Sequence, residues 1–227
     1  MLVRIPDVLT REELVECRTV LASAQWVDGK ITAGAQSAKA KFNLQVPESA
    51  PEARSLGEII LRALGSNPLF NAAALPMRVF PPLFNRYDEG MDFKPHIDNA
   101  IRYVAQANLR LRTDVSATLF LSEPSDYDGG ELIIEDTYGA QSVKLPAGHI
   151  VLYPATSLHR VTPVKQGARL ASFFWVQSMV KDDGKRRELF ELDRAIQETR
   201  IALGDTHHAV IALAGTYHNL LRRWSEL

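Results

Sequence analysis

Cysteine is nearly absent from this chain, since Cys17 is the only one in 227 residues. A single thiol has no intramolecular disulfide partner, which excludes a disulfide-built fold and suits a reducing compartment. Cys17 falls within a predicted helix. Burial against apolar neighbours is therefore a better interpretation of this residue than a catalytic thiol.

Long apolar runs and an excess of one charge are also missing. No stretch reaches the roughly eighteen consecutive apolar residues of a membrane-spanning helix, and no apolar run follows a basic start. The 26 Lys and Arg residues nearly balance the 27 Asp and Glu residues, for a formal net charge of −1. The net charge offers no attraction for nucleic acid or an anionic membrane, although the sequence leaves a local basic patch as an alternative. These absences predict a cytoplasmic protein with neither partner.

The hydrophobic pattern divides the chain into a helical and mixed support region at 1–76, a central region at 77–178 and a helical extension at 179–227. In the first region, Thr10-Arg11-Glu12-Glu13 has the spacing of a capping box and predicts the start of a helix. A second helical pattern runs from Glu52 to Leu64. The extension predicts two more helices. All of these helices are expected to pack outside a sheet.

The central region is typical of short β-strands separated by Pro, Asp and Gly. The strongest runs are Val115–Leu121, Glu131–Glu135, His149–Tyr153 and Arg169–Gln177. With the flanking helices they predict an α+β protein whose core is a double-stranded β-helix, or jelly-roll, with a funnel between two sheets. Gly129-Gly130 marks a turn that either shapes the rim of the funnel or closes a simple hairpin.

The triplet His96-Ile97-Asp98, followed by His159, is the strongest functional signal in the central region. Alternate side chains of an extended segment point the same way, so His96 and Asp98 can face one interior. Two imidazoles and one carboxylate can occupy one face of iron(II) and leave the other positions open, as in non-haem oxygenases. A His-x-Asp triplet alone is weak, since it arises by chance in about a third of such chains. The competing interpretation is a surface turn at Asp98 and a core imidazole at His159.

Several short motifs stand together in one order along the chain. They are Phe84-Asn85-Arg86-Tyr87, Pro95-His96-Ile97-Asp98, Asp128-Gly129-Gly130-Glu131-Leu132, Pro146-Ala147-Gly148-His149 and Leu158-His159-Arg160-Val161. With these motifs the chain resembles the iron- and 2-oxoglutarate-dependent dioxygenases of the prolyl-4-hydroxylase superfamily, and most closely the bacterial PKHD-type hydroxylases, which are associated with iron uptake. The resemblance covers essentially the whole length, including the helical ends.

This resemblance implies an iron(II) cofactor held by His96, Asp98 and His159, with no catalytic residue beyond these ligands. It also implies 2-oxoglutarate and dioxygen as cosubstrates, and hydroxylation of a substrate C–H bond with release of succinate and carbon dioxide. L-ascorbate commonly re-reduces the iron of such enzymes and is expected to help, although no sequence feature identifies a site for it.

Arg169 lies at the start of a predicted strand, ten residues after His159. A guanidinium can hold a carboxylate through two parallel hydrogen bonds, which suits the distal carboxylate of 2-oxoglutarate. A surface ion pair is the competing interpretation. Tyr87 and Asn85 share one face of the strand before the metal pair and could contact a cosubstrate carboxylate. Core packing explains Tyr87 almost equally well.

The segment at 99–113 carries Arg102, Tyr103, Arg110 and Arg112 and predicts a lid over the metal. Such a lid could bind an anionic or carbonyl-rich substrate, and a solvated charged surface is the equal alternative. The substrate itself is not identified by the sequence. The superfamily favours a peptidyl substrate, whereas the iron-uptake association favours a siderophore or another small molecule.

The remaining histidines carry a weaker metal signal. His149 precedes a predicted strand and is easily mistaken for the ligand that the family pattern assigns to His159. The histidines of the C-terminal helices have no acidic or cysteine partner at useful spacing and are expected to face solvent or a neighbouring helix; they are His207, His208 and His218. Tyr217 and Trp224 at helical spacing predict packing, with a homo-oligomer contact as the alternative.

Two other functions would use the same pocket. An iron or 2-oxoglutarate sensor would bind these ligands and regulate a partner without turnover. A cupin-like metal protein would use dioxygen without 2-oxoglutarate. Succinate formation that depends on Arg169 separates the enzyme from both, and the presence of every group that catalysis needs favours the enzyme.

Overall fold

The computed structural model describes residues 1–32, 40–104, 107–137 and 139–227. The α-helices of this part of the chain are Arg11–Ser23 (α1), Pro51–Ser66 (α2), Pro68–Ala74 (α3), Asp183–Leu203 (α4) and His208–Trp224 (α5). The predicted capping box forms, because the Thr10 hydroxyl accepts from the Glu13 amide and the Glu13 carboxylate accepts from the Thr10 amide. The two C-terminal helices are confirmed. The short α3, which has no clear helical period, was not predicted.

The strands are short, as predicted. They are β1 (Val3–Ile5), β2 (Val27–Asp28), β3 (Lys41–Phe42), β4 (Leu44–Gln45), β5 (Pro76–Val79), β6 (Leu83–Tyr87), β7 (Asp92–His96), β8 (Ile101–Val104), β9 (Leu109–Arg112), β10 (Val115–Phe120), β11 (Tyr127–Gly129), β12 (Leu132–Asp136), β13 (Gly139–Val143), β14 (Ile150–Pro154), β15 (His159–Val161), β16 (Val164–Gly167) and β17 (Arg169–Ser178). The four strongest predicted runs correspond to β10, β12, β14 and β17.

Two antiparallel sheets form the framework. The large sheet has the order β1-β14-β10-β17-β6-β4-β2, with β5 also paired to β17, and the small sheet has the order β13-β12-β15-β7-β3. Apolar side chains from both sheets pack together between them, among them Phe120, Val151, Leu132 and Val161. Helices lie outside this framework, which confirms the α+β class with a jelly-roll core.

The large sheet presents different residues to its two sides. On β10, Ala117 and Leu119 belong to the apolar cluster that contains residues of α1, α2 and α3, whereas Ser116 and Thr118 line a cavity on the opposite side. This division follows from the two-residue period of a strand. The same alternation on β17 directs Leu170 towards the helix side.

Cys17 is buried on the helix side of the large sheet, in the same apolar cluster. Burial, with a smaller contribution from nearby carboxylates, raises the pKa of this thiol to about 12. The thiol is therefore protonated at neutral pH and inert as a nucleophile. The prediction of a packing role for Cys17 agrees with this environment.

The amino-terminal part of the chain contributes directly to both sheets. Strand β1 pairs with β14 of the large sheet, and β3 pairs with β7 of the small sheet. The passage at 29–50 is rich in Gly, Ala, Ser and Lys, which predicts an irregular or strand-and-loop conformation. It contains β3 and β4, and its residues 33–39 lie outside the described residues. The support region predicted at 1–76 thus supplies strands as well as helices.

The C-terminal extension packs on the rest of the domain through a small apolar cluster. Leu75, Val180 and Leu189 form its buried centre, and Tyr217 and Trp224 pack against it. Intrachain packing therefore accounts for these two aromatic residues, as the first interpretation predicted. In the described part of the chain, no helix combines the length and the apolar character required to cross a membrane.

Gly129 and Gly130 lie where two strands come unusually close. Both have positive φ angles, +72° and +64°, and a Cβ on Gly129 would approach the carbonyl oxygen of Pro163 to 2.1 Å. They connect β11, which pairs with β16, to β12, which pairs with β13 and β15. The hairpin interpretation is wrong, because the strands on either side of the glycines pair with different partners. Close backbone approach is the physical reason for glycine here.

Candidate metal centre

Three polar side chains converge between the sheets at His96, Asp98 and His159. The pairing of β7 with β15 places His96 directly opposite His159, and Asp98 follows two residues after the end of β7. One ligand atom from each residue lies within 4.8 Å of the others, and His159 Nε2 is 3.8 Å from Asp98 Oδ2. The intervening Ile97 is 54% exposed. The strand alternation predicted from the sequence is therefore present.

Backbone carbonyls orient both imidazoles. His96 Nδ1 lies 2.8 Å from the carbonyl oxygen of Lys94, and His159 Nδ1 lies 3.0 Å from the carbonyl oxygen of Ser157. A carbonyl only accepts, so each Nδ1 carries the hydrogen and donates it. The lone pair of each Nε2 is left for a metal, which is the arrangement expected of imidazole ligands.

The environment of the triad favours its metal-binding forms. Burial, together with the neighbouring His159, lowers the pKa of His96 below its usual value, so the ring is neutral at physiological pH. Ser116 Oγ donates to Asp98 Oδ2 at 2.6 Å and fixes that carboxylate. Ser116 was not predicted, although a polar residue at an alternate position of a buried strand is the signal that marks it. Two nitrogens and one oxygen on one side fit iron(II), with the other positions open.

The triad lines a cavity that opens to solvent. Arg169, the first residue of β17, lies in the same cavity and is 1% exposed. Its guanidinium carbon is 5.3 Å from the ring centres of both Tyr87 and Phe120. The Nε and Nη1 atoms of Arg169 have no hydrogen-bond partner in the described protein. Since buried donors are nearly always paired, this guanidinium is fitted to receive an anion.

Tyr87 and Asn85 lie beside Arg169 on the cavity side of β6, as predicted. Burial raises the pKa of Tyr87 to about 12 and raises the pKa of Tyr153 well above its usual value, so both phenols stay neutral and able to donate. The Oδ1 atom of Asn85 is buried without a partner among the described residues. The side of the cavity around Arg169 therefore offers neutral donors and acceptors beside one fixed positive charge.

Comparison with known proteins assigns this arrangement to a family. The family model of the 2OG-Fe(II) oxygenase superfamily matches residues 82–177 of this chain. The family model of the PKHD-type hydroxylase C-terminal domain matches residues 183–226. The chain is 63% identical to a PKHD-type hydroxylase of Gluconobacter oxydans and 59% identical to the PKHD-type hydroxylase PiuC of Pseudomonas aeruginosa, over 100% of all three chains. The chain belongs to the PKHD-type hydroxylases. It is a dioxygenase that depends on iron(II) and 2-oxoglutarate, as its resemblance implied.

Solved structures share the fold of this PKHD-type hydroxylase. A prolyl hydroxylase of Trichoplax adhaerens, in complex with a hypoxia inducible factor oxygen degradation domain peptide fragment, matches with a TM-score of 0.55 at 14% identity, over 83% of this chain and 86% of its own. A Pseudomonas putida prolyl-4-hydroxylase matches with a TM-score of 0.52 at 21% identity, over 78% and 92%. At these identities the likeness shows the fold alone.

The lid predicted in the PKHD-type hydroxylase at 99–113 is a hairpin of β8 and β9, with residues 105 and 106 outside the described part. Arg102 lines the cavity. Its neighbour Tyr103 is 55% exposed and donates to Asn108, and it pairs across the hairpin with Arg110, which is also exposed. For these two residues the alternative of a solvated surface describes the structure, because successive side chains of a strand point to opposite sides.

Arg112, the fourth predicted lid residue of the hydroxylase, is committed elsewhere. Its guanidinium donates twice to the carboxylate of Asp114, at 2.7 and 3.1 Å, and once to Glu226 at 3.3 Å. It therefore lies outside the cavity lining and ties the hairpin to the end of the chain. Of the four residues, only Arg102 faces the site.

Lys41 is a buried cation of the hydroxylase cavity that sequence reasoning missed. It is 4% exposed on β3, donates to the side-chain oxygen of Gln45, and lies over the rings of Phe93 and Phe173 at 5.6 and 5.4 Å. Burial, followed by repulsion from Arg102, lowers the pKa of Lys41 to about 7. Its position depends on the pairing of β3 with β7, which no local pattern reveals.

The other histidines of the hydroxylase lie away from the triad, and no second group of metal-binding side chains occurs in the described ranges. His149 Nδ1 accepts from the Asp7 amide at 3.4 Å and is absent from the ligand group, as expected. His207 caps the start of α5 by accepting from the Ala209 amide, with the His208 ring beside it. His218 lies on α5 with its ring against Tyr217.

Proposed function

We propose that this dioxygenase hydroxylates a C–H bond of its substrate, with His96, Asp98 and His159 holding iron(II) and Arg169 binding the distal carboxylate of 2-oxoglutarate. One observation carries the proposal. A ligand set of two imidazoles and one carboxylate shares a cavity with a buried arginine, two of whose nitrogens have no hydrogen-bond partner among the described residues. A carboxylate would accept from a buried donor of this guanidinium, and its negative charge would offset the buried positive charge.

Iron(II) with bound 2-oxoglutarate supplies the activation of dioxygen and the oxidation of carbon, with release of succinate and carbon dioxide. The chain contributes geometry. Ser116 holds the Asp98 carboxylate, and two backbone carbonyls hold the imidazole rings in the metal-binding tautomer. Arg169 and the neutral hydroxyl of Tyr87 position the cosubstrate, and the aromatic walls exclude water from that end of the cavity.

The domain organisation that we propose follows the sequence pattern. The region at 77–178 carries all the proposed iron and cosubstrate residues, and the region at 1–76 supports it through strands and helices. The extension at 179–227 packs on the outside. The substrate is peptidyl, or a siderophore or another small molecule. A role for ascorbate, a cytoplasmic location and a homo-oligomer stay predictions.

Anaerobic reconstitution with iron(II) and 2-oxoglutarate tests the proposal. The expected result is a weak visible charge-transfer band, followed by succinate once oxygen is admitted. In Arg169→Ala both signals are expected to fall strongly. Arg160→Ala is the matched control, because Arg160 lies on β15 beside the site but pairs with Glu135 at 2.6 Å.

Each failure has a distinct meaning. A band without succinate, with substrate candidates supplied, favours a sensor that binds both ligands without turnover. Oxygen consumption that survives in Arg169→Ala favours a cupin-like protein that does not use 2-oxoglutarate. The absence of any band in folded protein would refute the metal assignment.

A further inference from the structure

Two cations, Lys41 and Arg102, line the same cavity as the metal triad. They arrive from separate elements, since Lys41 lies on β3 at the edge of the small sheet and Arg102 lies on the β8–β9 hairpin. The Lys41 residue is 4% exposed, and the Arg102 side chain is 15% exposed. Holding two like charges together away from water costs free energy, and an anion bound between them would offset that cost.

Aromatic rings fix both cations in place. The Arg102 guanidinium carbon lies 4.6 Å from the ring centre of Trp175 and 5.2 Å from that of Phe80. The Lys41 ammonium lies over Phe173. Contacts of this kind attract the cation electrostatically and hold its orientation. The planar fork of Arg102 is thus positioned before any ligand arrives, and a planar carboxylate matches that fork best.

These cations are separate from the proposed cosubstrate anchor. The cavity side of β17 carries Arg169 at one end and then Phe173 and Trp175, four and six residues further on. At roughly 3.3 Å per residue, the strand separates Arg169 from these rings by about 13 and 20 Å. Lys41 contacts Phe173 and Arg102 contacts Trp175. One carboxylate therefore cannot satisfy both ends of the cavity.

The charge balance of the loaded site leaves a partial positive charge at the end of the cavity that Lys41 and Arg102 line. The charges of iron(II), Asp98, Arg169 and doubly anionic 2-oxoglutarate cancel one another. Glu48 lies 3.6 Å from Arg102 with its side chain 39% exposed and offsets the charge of Arg102, whereas burial lowers the pKa of Lys41 to about 7 and leaves this residue partly charged at neutral pH. A neutral substrate would leave the excess charge in place, and a carboxylate would cancel it.

We propose that Lys41 and Arg102 form a subsite for a carboxylate group of the substrate. This inference rests on the proposed function and narrows its substrate to an organic acid. Arg102 holds the carboxylate through its planar fork, Lys41 adds the second positive charge, and the rest of the substrate extends towards His96 and Asp98. The carboxylate belongs either to a small molecule or to an acidic side chain of a peptide.

Calorimetric titration of the anaerobic holoenzyme, loaded with iron(II) and saturated with 2-oxoglutarate, tests this subsite. One arm compares benzoate with benzamide, and the other compares a blocked Asp-containing peptide with its Asn counterpart. The expected result is that the acid binds at least about tenfold more tightly than the amide in one of the two arms. That arm also identifies the source of the carboxylate.

Variants locate the effect. Arg102→Gln and Lys41→Met are expected to remove the preference for the acid, whereas Arg110→Gln, on the outer face of the same hairpin, is expected to keep it. Because Arg102 also packs on aromatic rings, Arg102→Lys is a second variant that keeps the charge without the fork, and an intermediate preference is expected. The charge-transfer band in each variant reports whether the metal site remains intact.

The outcomes separate this inference from the function on which it rests. An intact band with no acid preference in either arm overturns the subsite and leaves the proposed function standing. A preference that survives Arg102→Gln and Lys41→Met but disappears in Arg169→Gln places the anion at the cosubstrate end and also overturns it. The absence of the band in the unmodified enzyme overturns both proposals together.

Discussion

On the helix side of the large sheet, Ala117, Leu119 and Val176 are almost fully buried among apolar side chains. On the cavity side of the same strands, Ser116 donates a hydrogen bond to the proposed ligand Asp98, and two nitrogens of Arg169 have no partner in the part of the chain that the structure describes. Successive residues of one strand therefore meet opposite requirements. The comparison teaches that stability resides mainly on one face of the sheet and chemistry on the other, so the two can be changed separately.

The largest effect is expected on the cavity side, from His159→Ala. Removing one of three proposed ligands should abolish tight iron(II) binding, while the β-domain remains folded because its core is supplied by other strands. Equilibrium metal titration, with circular dichroism as the check on folding, measures this. His149→Ala is the matched control and is expected to bind iron normally. An unchanged iron affinity in folded His159→Ala protein contradicts the assignment.

The helix side is expected to show the converse in Leu119→Ala. Loss of this fully buried side chain should lower the free energy of unfolding by about 2–5 kcal/mol, through lost burial and the cavity left behind. Iron affinity measured per folded molecule should stay the same. Urea unfolding gives the first quantity. Leu203→Ala, at a half-exposed position on α4, should change stability by less than about 0.5 kcal/mol.

A smaller change, Arg169→Lys, sharpens the cavity side of the comparison. The substitution keeps a positive charge but loses the fork that can bind both carboxylate oxygens, so KM for 2-oxoglutarate should rise about tenfold. Succinate formation at saturating cosubstrate should fall much less. The matched change Arg160→Lys should leave KM as it was. Equal KM values for Arg169→Lys and the unmodified enzyme would remove Arg169 from the cosubstrate site.

The smallest effect is expected from Lys41→Met, because the buried charge of Lys41 on the cavity side lowers the free energy of unfolding. The pKa of Lys41 is about 7 in the folded protein and near 10.4 in an unfolded chain, so below pH 7 both states are charged and the folded state bears the full cost of burial. That cost declines as the pH rises from 7 to about 10.4. Lys41→Met should therefore stabilise the protein by about 1–2 kcal/mol at pH 6 and by less at pH 9.

Urea unfolding at the two pH values measures this difference. Lys165→Met is the control, since the Lys165 side chain is 73% exposed, and it should show no such pH dependence. A destabilising effect of Lys41→Met at pH 6 would show that this ammonium contributes to stability. It would contradict the assignment of stability to the helix side and of chemistry to the cavity side at that position.

The sequence predicted much of this architecture because several elements carry local signals. The Thr10 capping box and the alternating pattern of β10 and β17 need no distant partner to be recognised. The alternation of side chains in an extended segment also predicted that His96 and Asp98 lie together at the end of one strand. The rest depends on tertiary pairing. Lys41 enters the cavity only because β3 joins β7, and no window of sequence around Lys41 contains that information.

The hairpin of β8 and β9 shows a different limit. Arg102 and Tyr103 were both placed in the predicted lid, yet adjacent strand residues point to opposite sides, and only Arg102 lines the cavity. Recognising the segment as two strands would have been enough to select Arg102. Ser116 was missed although alternation marked it, because a single serine in an apolar strand gives no hint of the carboxylate that it contacts from a distant segment.

The burial of Cys17 behind the large sheet bears on the durability of the enzyme. Turnover that runs without substrate releases oxidants at the metal, and a thiolate would be the side chain most vulnerable to them. Cys17 is protonated, is closed off from solvent and belongs to the helix-side cluster, with the sheet between it and the cavity. Oxidation of the protein during such turnover is therefore expected to affect the aromatic residues beside the iron first. The free thiol of Cys17 should still be present after the enzyme has lost its activity.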